Sequence, residues 1–91
     1  MSRHQSRKER WTQVNAKEYR AAFGVVRYVR GAWEGTVRYE VRREEEQPLW
    51  QAEEVYAGRF KRPRNAMIAV EDKAREIARR HPDDARVAMD A

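Results

Sequence analysis

The stretch WEGTVRYEVR, residues 33–42, decides the fold of this chain. Its odd-numbered positions are apolar or glycine, whereas its even-numbered positions are polar or charged. Successive side chains of a β-strand point to opposite faces of the sheet. The pattern therefore predicts a strand with one buried face and one face in water, as is usual in an antiparallel sheet with one covered side.

One further strand is predicted on each side of this stretch. Residues 19–30, YRAAFGVVRYVR, are rich in Phe, Val and Tyr, which favour strands, although a short helical turn over residues 15–22 is an alternative. Charge and Pro48 end the alternation after residue 42, which indicates a hairpin loop over residues 43–48. A third strand follows over residues 49–60, with its register open because residues 55–57 are apolar on both faces.

A helix is predicted after the third strand. Asn65 is a candidate helix cap, and the motif His81-Pro82 ends the helix because the residue before proline avoids the helical conformation. The apolar stripe, at spacings of three and four, consists of Ala66, Val70, Ala74, Ile77 and Ala78. The side chains expected to face water are those of Glu71, Asp72, Lys73, Arg75, Glu76, Arg79 and Arg80.

The fold class that follows is α+β, with a three-stranded antiparallel sheet packed against one C-terminal helix in the order β-β-β-α. Ninety-one residues suffice for one such core and not for two. We expect a flexible basic arm over residues 1–12, a single domain over residues 13–82 and a short acidic tail over residues 83–91.

Composition argues against an enzyme, a metal site or a cofactor. The chain has no cysteine, and its only histidines, His4 and His81, lie at opposite ends without metal-ligand spacing. It contains neither a serine nucleophile motif nor a glycine-rich phosphate loop. No apolar run reaches signal-peptide or membrane-spanning length. We expect a non-enzymatic, cytoplasmic binding module with no membrane contact.

Charge points to a nucleic-acid partner. Twenty Lys and Arg against fifteen Asp and Glu give a formal charge of +5, and a basic surface favours polyanions. Glu34 and Glu40 share the polar face and would repel phosphate unless each orients an arginine or contacts a cytosine amine. An alternating Arg/Glu strand is equally typical of a plain solvated sheet. The candidate nucleic-acid-binding residues are Arg27, Arg30, Arg38, Arg42, Tyr56, Arg59, Lys61, Arg62 and Arg64.

The motifs RGAW (residues 30–33), YEVR (39–42) and VYAGRF (55–60), followed by an alanine-bearing helix, resemble the ethylene-response-factor type of DNA-binding domain and related integrase arms. That resemblance implies a three-stranded sheet inserted into the major groove, with Arg27, Arg30, Arg42 and Tyr56 facing the DNA. The strand order is also similar to the later part of a double-stranded-RNA-binding domain, in which residues 61–64 would grip phosphate.

The function predicted from these features is binding of double-stranded nucleic acid, with DNA favoured. The alternative is a protein-interaction or structural module in which an open edge strand or the aromatic residues pair with a partner or with a second copy.

Overall fold

The computed structural model describes residues 10–42 and 50–89 and shows an antiparallel sheet covered on one face by a helix. The elements in chain order are β1 (Thr12–Asn15), β2 (Glu18–Ala21), β3 (Gly24–Val29), β4 (Ala32–Arg42), β5 (Trp50–Phe60), α1 (Pro63–Arg80) and β6 (Ala85–Arg86). The strands follow one another across the sheet from β1 to β5, and β6 pairs with β4. Helix α1 packs against β3, β4 and β5.

The expected α+β class, with an antiparallel sheet and a C-terminal helix, is confirmed, whereas the expected number of three strands is wrong. Residues 19–30 form two strands, β2 and β3, because the chain turns at Ala22 and Phe23. Neither turn residue is polar, so the sequence gives no turn signal here. Phe23 is only 2% exposed and belongs to the core. The remaining additions, β1 and β6, lie at the two ends of the expected domain.

The packed structure extends beyond residues 13–82 at both ends. Trp11, which falls within the expected arm, is 5% exposed, and its ring packs edge-on against Phe23 with the ring centroids 5.4 Å apart. Ala85, which falls within the expected tail, is 8% exposed and pairs with Val41. Residues 1–9 of the expected arm and the expected loop over residues 43–48 lie outside the described residues.

Helix α1 begins earlier than its sequence pattern indicates and ends where expected. Pro63 is its first residue, a position where the missing proline N–H costs no hydrogen bond, so Asn65 lies inside the helix and is not its cap. At the other end, the backbone N–H of His81 donates to the carbonyl of Ile77 at 3.0 Å. Ala66, Val70 and Ala74 are buried as expected.

Glu71 is the exception on the expected water-facing side of α1. Its side chain is buried with 3% of its surface exposed, and its Oε2 accepts a hydrogen bond from Nε1 of Trp11 at 2.9 Å. This hydrogen bond connects Trp11, the residue before β1, to helix α1. A charged residue can be buried at this position because it has a hydrogen-bonding partner.

Two glycines allow α1 to lie close to the sheet. A Cβ atom at Gly24 would lie 2.5 Å from Val70 Cγ1, and one at Gly35 would lie 2.6 Å from Val70 Cγ2. Val70 fills the space that these missing side chains leave, and it is fully buried together with Val26 and Val37. The contact between helix and sheet therefore depends on glycine at both strand positions.

A β-bulge in β5 resolves the register that the sequence leaves open. Gly35 pairs with Gly58 and Thr36 with Tyr56, so Ala57 is an extra residue on β5. Gly58 has a φ of +128°, which only glycine adopts readily. Because the bulge shifts the alternation by one residue, Phe60 packs against the core while Tyr56 lies on the opposite face.

Candidate nucleic-acid interface

The face of the sheet opposite α1, here called the uncovered face, carries most of the candidate residues. Val26 and Val37 are buried on the helix side, so their neighbours Arg27 and Arg38 point the other way. In the observed register Arg27 lies opposite Glu34, and Glu34 lies opposite Arg59. The candidates on the uncovered face are Arg27, Arg38, Arg42, Tyr56 and Arg59.

Carboxylates hold several of these arginines. Glu34 accepts from Nη1 of Arg59 at 3.0 Å, and Glu54 lies 3.5 Å from Nε of Arg38. Glu40 likewise lies 3.0 Å from Nη2 of Arg86. The glutamates expected to repel phosphate, Glu34 and Glu40, therefore each orient a guanidinium group. The middle of the uncovered face consequently carries little net charge.

Glu18 makes a similar contact with two arginines of β2 and β3. Its Oε2 accepts from Nε of Arg20 at 2.6 Å and lies 3.6 Å from Nη2 of Arg27. The hydrogen bond from Arg20, helped by the positive charges of both arginines, lowers the pKa of the Glu18 carboxyl below its usual value of 4.5. Glu18 is therefore ionised at neutral pH and holds both side chains in position.

The remaining candidates gather at one end of the sheet. Arg30 lies in the turn between β3 and β4, and Lys61 and Arg62 lie between β5 and α1. The carbonyl of Arg30 accepts from Nη2 of Arg59 at 3.2 Å, which connects the turn between β3 and β4 to the end of β5. The turn between β1 and β2 reaches the same end, since its Lys17 carbonyl accepts from the Tyr28 amide. We call this group the basic end; it comprises Lys17, Arg27, Arg30, Arg59, Lys61, Arg62 and Arg64.

Five cations of the basic end have no acidic partner among the described residues. The five that form no ion pair there are Lys17, Arg30, Lys61, Arg62 and Arg64. The first turn of α1 also contains no acidic residue. Positive charge at a helix N-terminus opposes the helix dipole, at a typical cost of about 0.3–1 kcal/mol. Helix stability therefore does not explain why Arg62 and Arg64 lie at the start of α1.

The uncovered face is concave between β2 and β5. Its depression, with a volume of about 420 Å³, lies between Arg20, Arg27 and Arg38, and Thr36 is part of its lining. Sequence reasoning missed Arg20 because residues 19–30 were interpreted as a single strand. It also missed Lys17, whose position beside the other cations depends on the turn between β1 and β2.

Aromatic residues occupy the other half of the uncovered face. Arg86 stacks over Trp50 with its guanidinium carbon 3.9 Å from the ring centroid, and Arg42 lies 5.8 Å from the same ring. Such cation–π contacts hold the arginines against the protein. Tyr56, by contrast, is 54% exposed near the middle of the strand.

The part of the chain that the structure describes holds no group of three or more His, Cys, Asp or Glu side chains able to bind a metal ion. Within the same residues, no helix is long and apolar enough to cross a membrane. No protein-family model, curated protein or solved structure matches this chain.

Proposed function

We propose that this chain is a small, non-enzymatic, cytoplasmic module that binds double-stranded nucleic acid, with DNA favoured. The basic end makes the main contact, and the arginines of the uncovered face extend it. The observation that carries the proposal is the group of five cations, in neighbouring turns and the first turn of α1, without acidic partners among the described residues.

Charge distribution supports the basic end as the contact surface. The basic end has seven cations, and the carboxylates that lie opposite its members across the strands are those of Glu18 and Glu34. A concentrated positive surface attracts phosphate and releases condensed counterions, which is the main source of affinity in sequence-independent binding.

Arginine geometry supports a duplex as the ligand. Arg59 is held by the Glu34 carboxylate and by the Arg30 carbonyl, so its guanidinium group is positioned before any ligand arrives. A preorganised arginine fork can bind a phosphate or a guanine edge through two hydrogen bonds. An antiparallel sheet carrying such side chains can enter the major groove of DNA.

The test is a fluorescence titration of the full chain with generic duplex DNA and duplex RNA at low and physiological salt. A triple variant, Lys61→Gln, Arg62→Gln and Arg64→Gln, should bind more weakly and lower the slope of log affinity against log salt by about 0.9 for each phosphate that the protein no longer neutralises. The matched control removes three charges from the C-terminal half of α1 by Arg75→Gln, Arg79→Gln and Arg80→Gln, and it should leave the slope unchanged.

Two exposed arginines of the uncovered face provide a second comparison. Changing Arg38 and Arg42 together to Ala should weaken binding without unfolding the domain, because both side chains lie on the surface. We expect a smaller effect than that of the triple variant, since Arg38 is paired with Glu54 and Arg42 lies near Trp50. If neither duplex binds at low salt, the nucleic-acid proposal is wrong.

A further inference from the structure

Three aromatic residues, Tyr19, Tyr28 and Trp33, form a cluster on the helix side of the sheet, here called the aromatic platform. Tyr28 and Trp33 lie directly opposite each other on β3 and β4, with their ring centroids 5.2 Å apart. The ring of Tyr19 contacts the same indole at 5.7 Å. All three share a face with the buried Val26 and Val37, because strand side chains alternate between the two faces.

Packing of the core accounts for two of the three rings. Tyr19 and Trp33 are partly buried and pack against the core, whereas Tyr28 is 39% exposed. The Tyr28 ring is therefore held from one side by the indole of Trp33 and is open to solvent elsewhere. An aromatic ring fixed in this way offers a flat surface on which a nucleic-acid base can stack.

Cations lie immediately beside the exposed ring. Nζ of Lys17 is 5.9 Å from the centroid of the Tyr28 ring, and Arg30 lies in the turn that joins the strands of Tyr28 and Trp33. Neither cation forms an ion pair with another described residue.

The backbone of Arg30 is an independent sign that this cation is needed where it lies. Arg30 has a φ of +51°, in the left-handed region that Asn, Asp and Gly adopt most readily in such turns. Local turn preference therefore does not explain an arginine at this position. Its guanidinium group adds positive charge two residues from the exposed Tyr28 ring.

The aromatic platform cannot be used by a continuous duplex. A base inside a duplex is covered on both faces by its neighbours, so a tyrosine ring reaches it only after the stack is broken. An unpaired nucleotide, by contrast, exposes the faces of its base and still carries a phosphate. Aromatic rings beside cations are the combination that binds single-stranded nucleic acid with little sequence preference.

We propose that the aromatic platform stacks the first unpaired base of a strand that leaves a duplex bound at the basic end. The preferred ligand is then a junction between a duplex and a single-stranded overhang. Tyr28 contacts the base, while Lys17 and Arg30 contact the phosphates on either side of it. This inference rests on the proposed function, since the basic end has to hold the duplex.

The full chain is titrated at physiological salt with three labelled duplexes that share one paired sequence. The first is blunt, the second has a three-nucleotide overhang, and the third has an overhang of three abasic nucleotides; overhangs at the 5′ and 3′ ends are tested separately. The abasic overhang carries the same phosphates, so the difference isolates the bases. The overhang with bases should bind about tenfold more tightly than the abasic one, as expected for one stacked base.

Substitutions at two exposed tyrosines test which ring makes the contact. Tyr28→Leu should abolish the tenfold preference, whereas Tyr28→Phe should retain it because the ring remains. The matched control is Tyr56→Leu, the same change at an exposed tyrosine on the opposite face, which should preserve the ratio between the two overhangs. The fluorescence of 2-aminopurine at the first unpaired position should fall on binding to the unsubstituted chain, so the stacking contact is also observed without any substitution.

The outcomes separate this inference from the proposed function. If no duplex binds even at low salt, both are wrong. If duplexes bind but the bases of the overhang add nothing, or if Tyr28→Leu keeps the preference in a folded protein, the stacking inference alone is wrong. Dimerisation of the free chain that Tyr28→Leu abolishes would assign the ring to a second copy and would also overturn it.

Discussion

Helix α1 lies so close to the sheet that one added methyl group at Gly35 has no room. An ideal Cβ there would lie 2.6 Å from Val70 Cγ2, about 1 Å closer than the usual carbon–carbon contact. Overpacking of this kind costs roughly 1–3 kcal/mol, and replacing a strand glycine by alanine returns roughly 0.5–1 kcal/mol. We therefore expect Gly35→Ala to lower the free energy of unfolding by about 1–2 kcal/mol.

Removing the obstructing methyl groups should relieve this clash. Val70→Ala alone should lower the free energy of unfolding by about 1.6 kcal/mol through reduced apolar burial, and the cavity that it leaves adds to this loss. With Gly35→Ala added, the new methyl group occupies part of that cavity, so the two losses should not add. Gly24→Ala is the control, because its Cβ would also lie 2.6 Å from the backbone oxygen of Thr36, which Val70→Ala does not move.

The assay is urea unfolding followed by tryptophan fluorescence, with the slope of the transition checked for constancy. The double variant of Gly35 and Val70 should lose about 1–2 kcal/mol less than the sum of the single losses, and the corresponding variant of Gly24 and Val70 should show little such relief. Additive losses for Gly35 and Val70 would refute the argument that these two residues compete for the same space.

Three further outcomes follow from individual contacts. Trp11→Phe should lower the free energy of unfolding by about 1–3 kcal/mol, because it removes the indole donor to the buried Glu71 carboxylate. Urea unfolding measures this loss, and an unchanged free energy of unfolding would contradict the prediction. The depressed pKa of Glu18 means that its stabilising contribution is present above about pH 4.5 and is lost as pH falls through the lower folded-state pKa. Carboxyl NMR should show that pKa rising in Arg20→Gln; no change would exclude Arg20 as the main cause. Gly31→Ala should lower the free energy of unfolding by about 1–2 kcal/mol, because the φ of residue 31 is +85°. The added Cβ itself would have no atom within 4 Å, so no steric clash contributes. Thermal unfolding measures the loss, and an unchanged melting temperature would disprove it.

The parts of the fold that the sequence predicts correctly are those with a self-contained pattern. The alternation from Trp33 to Val41 specifies β4 and its buried face, because strand periodicity is a local property. The spacing of Ala66, Val70 and Ala74 likewise specifies the buried side of α1. Neither prediction required knowledge of the rest of the chain.

The parts that were missed depend on contacts between distant residues. The turn after β2 contains Phe23, whose apolar side chain belongs to the core although its backbone makes a turn. Glu71 looks like a surface residue on α1 until Trp11, 60 positions earlier, meets it. The bulge at Ala57 is similarly invisible in the alternation of β5, since it becomes evident only when β4 lies beside it.

The sequence identifies most of the candidate interface residues but not how they are arranged. Arg38 lies on the uncovered face, as the alternation of β4 indicates, whereas Arg59 lies there only because of the bulge at Ala57. Their pairing with individual glutamates depends on the register of neighbouring strands, which the sequence leaves open. Lys17 joins the basic end only because the unexpected strands β1 and β2 form a turn there.

The order of the strands across the sheet has a consequence for synthesis of the chain. From β1 to β5 each strand pairs with the one made immediately before it, so each hairpin closes only a short loop. The growing chain can therefore add strands to the sheet in the order in which they leave the ribosome. The contact between Glu40 and Arg86, 46 residues apart, has to wait until α1 and β6 have emerged.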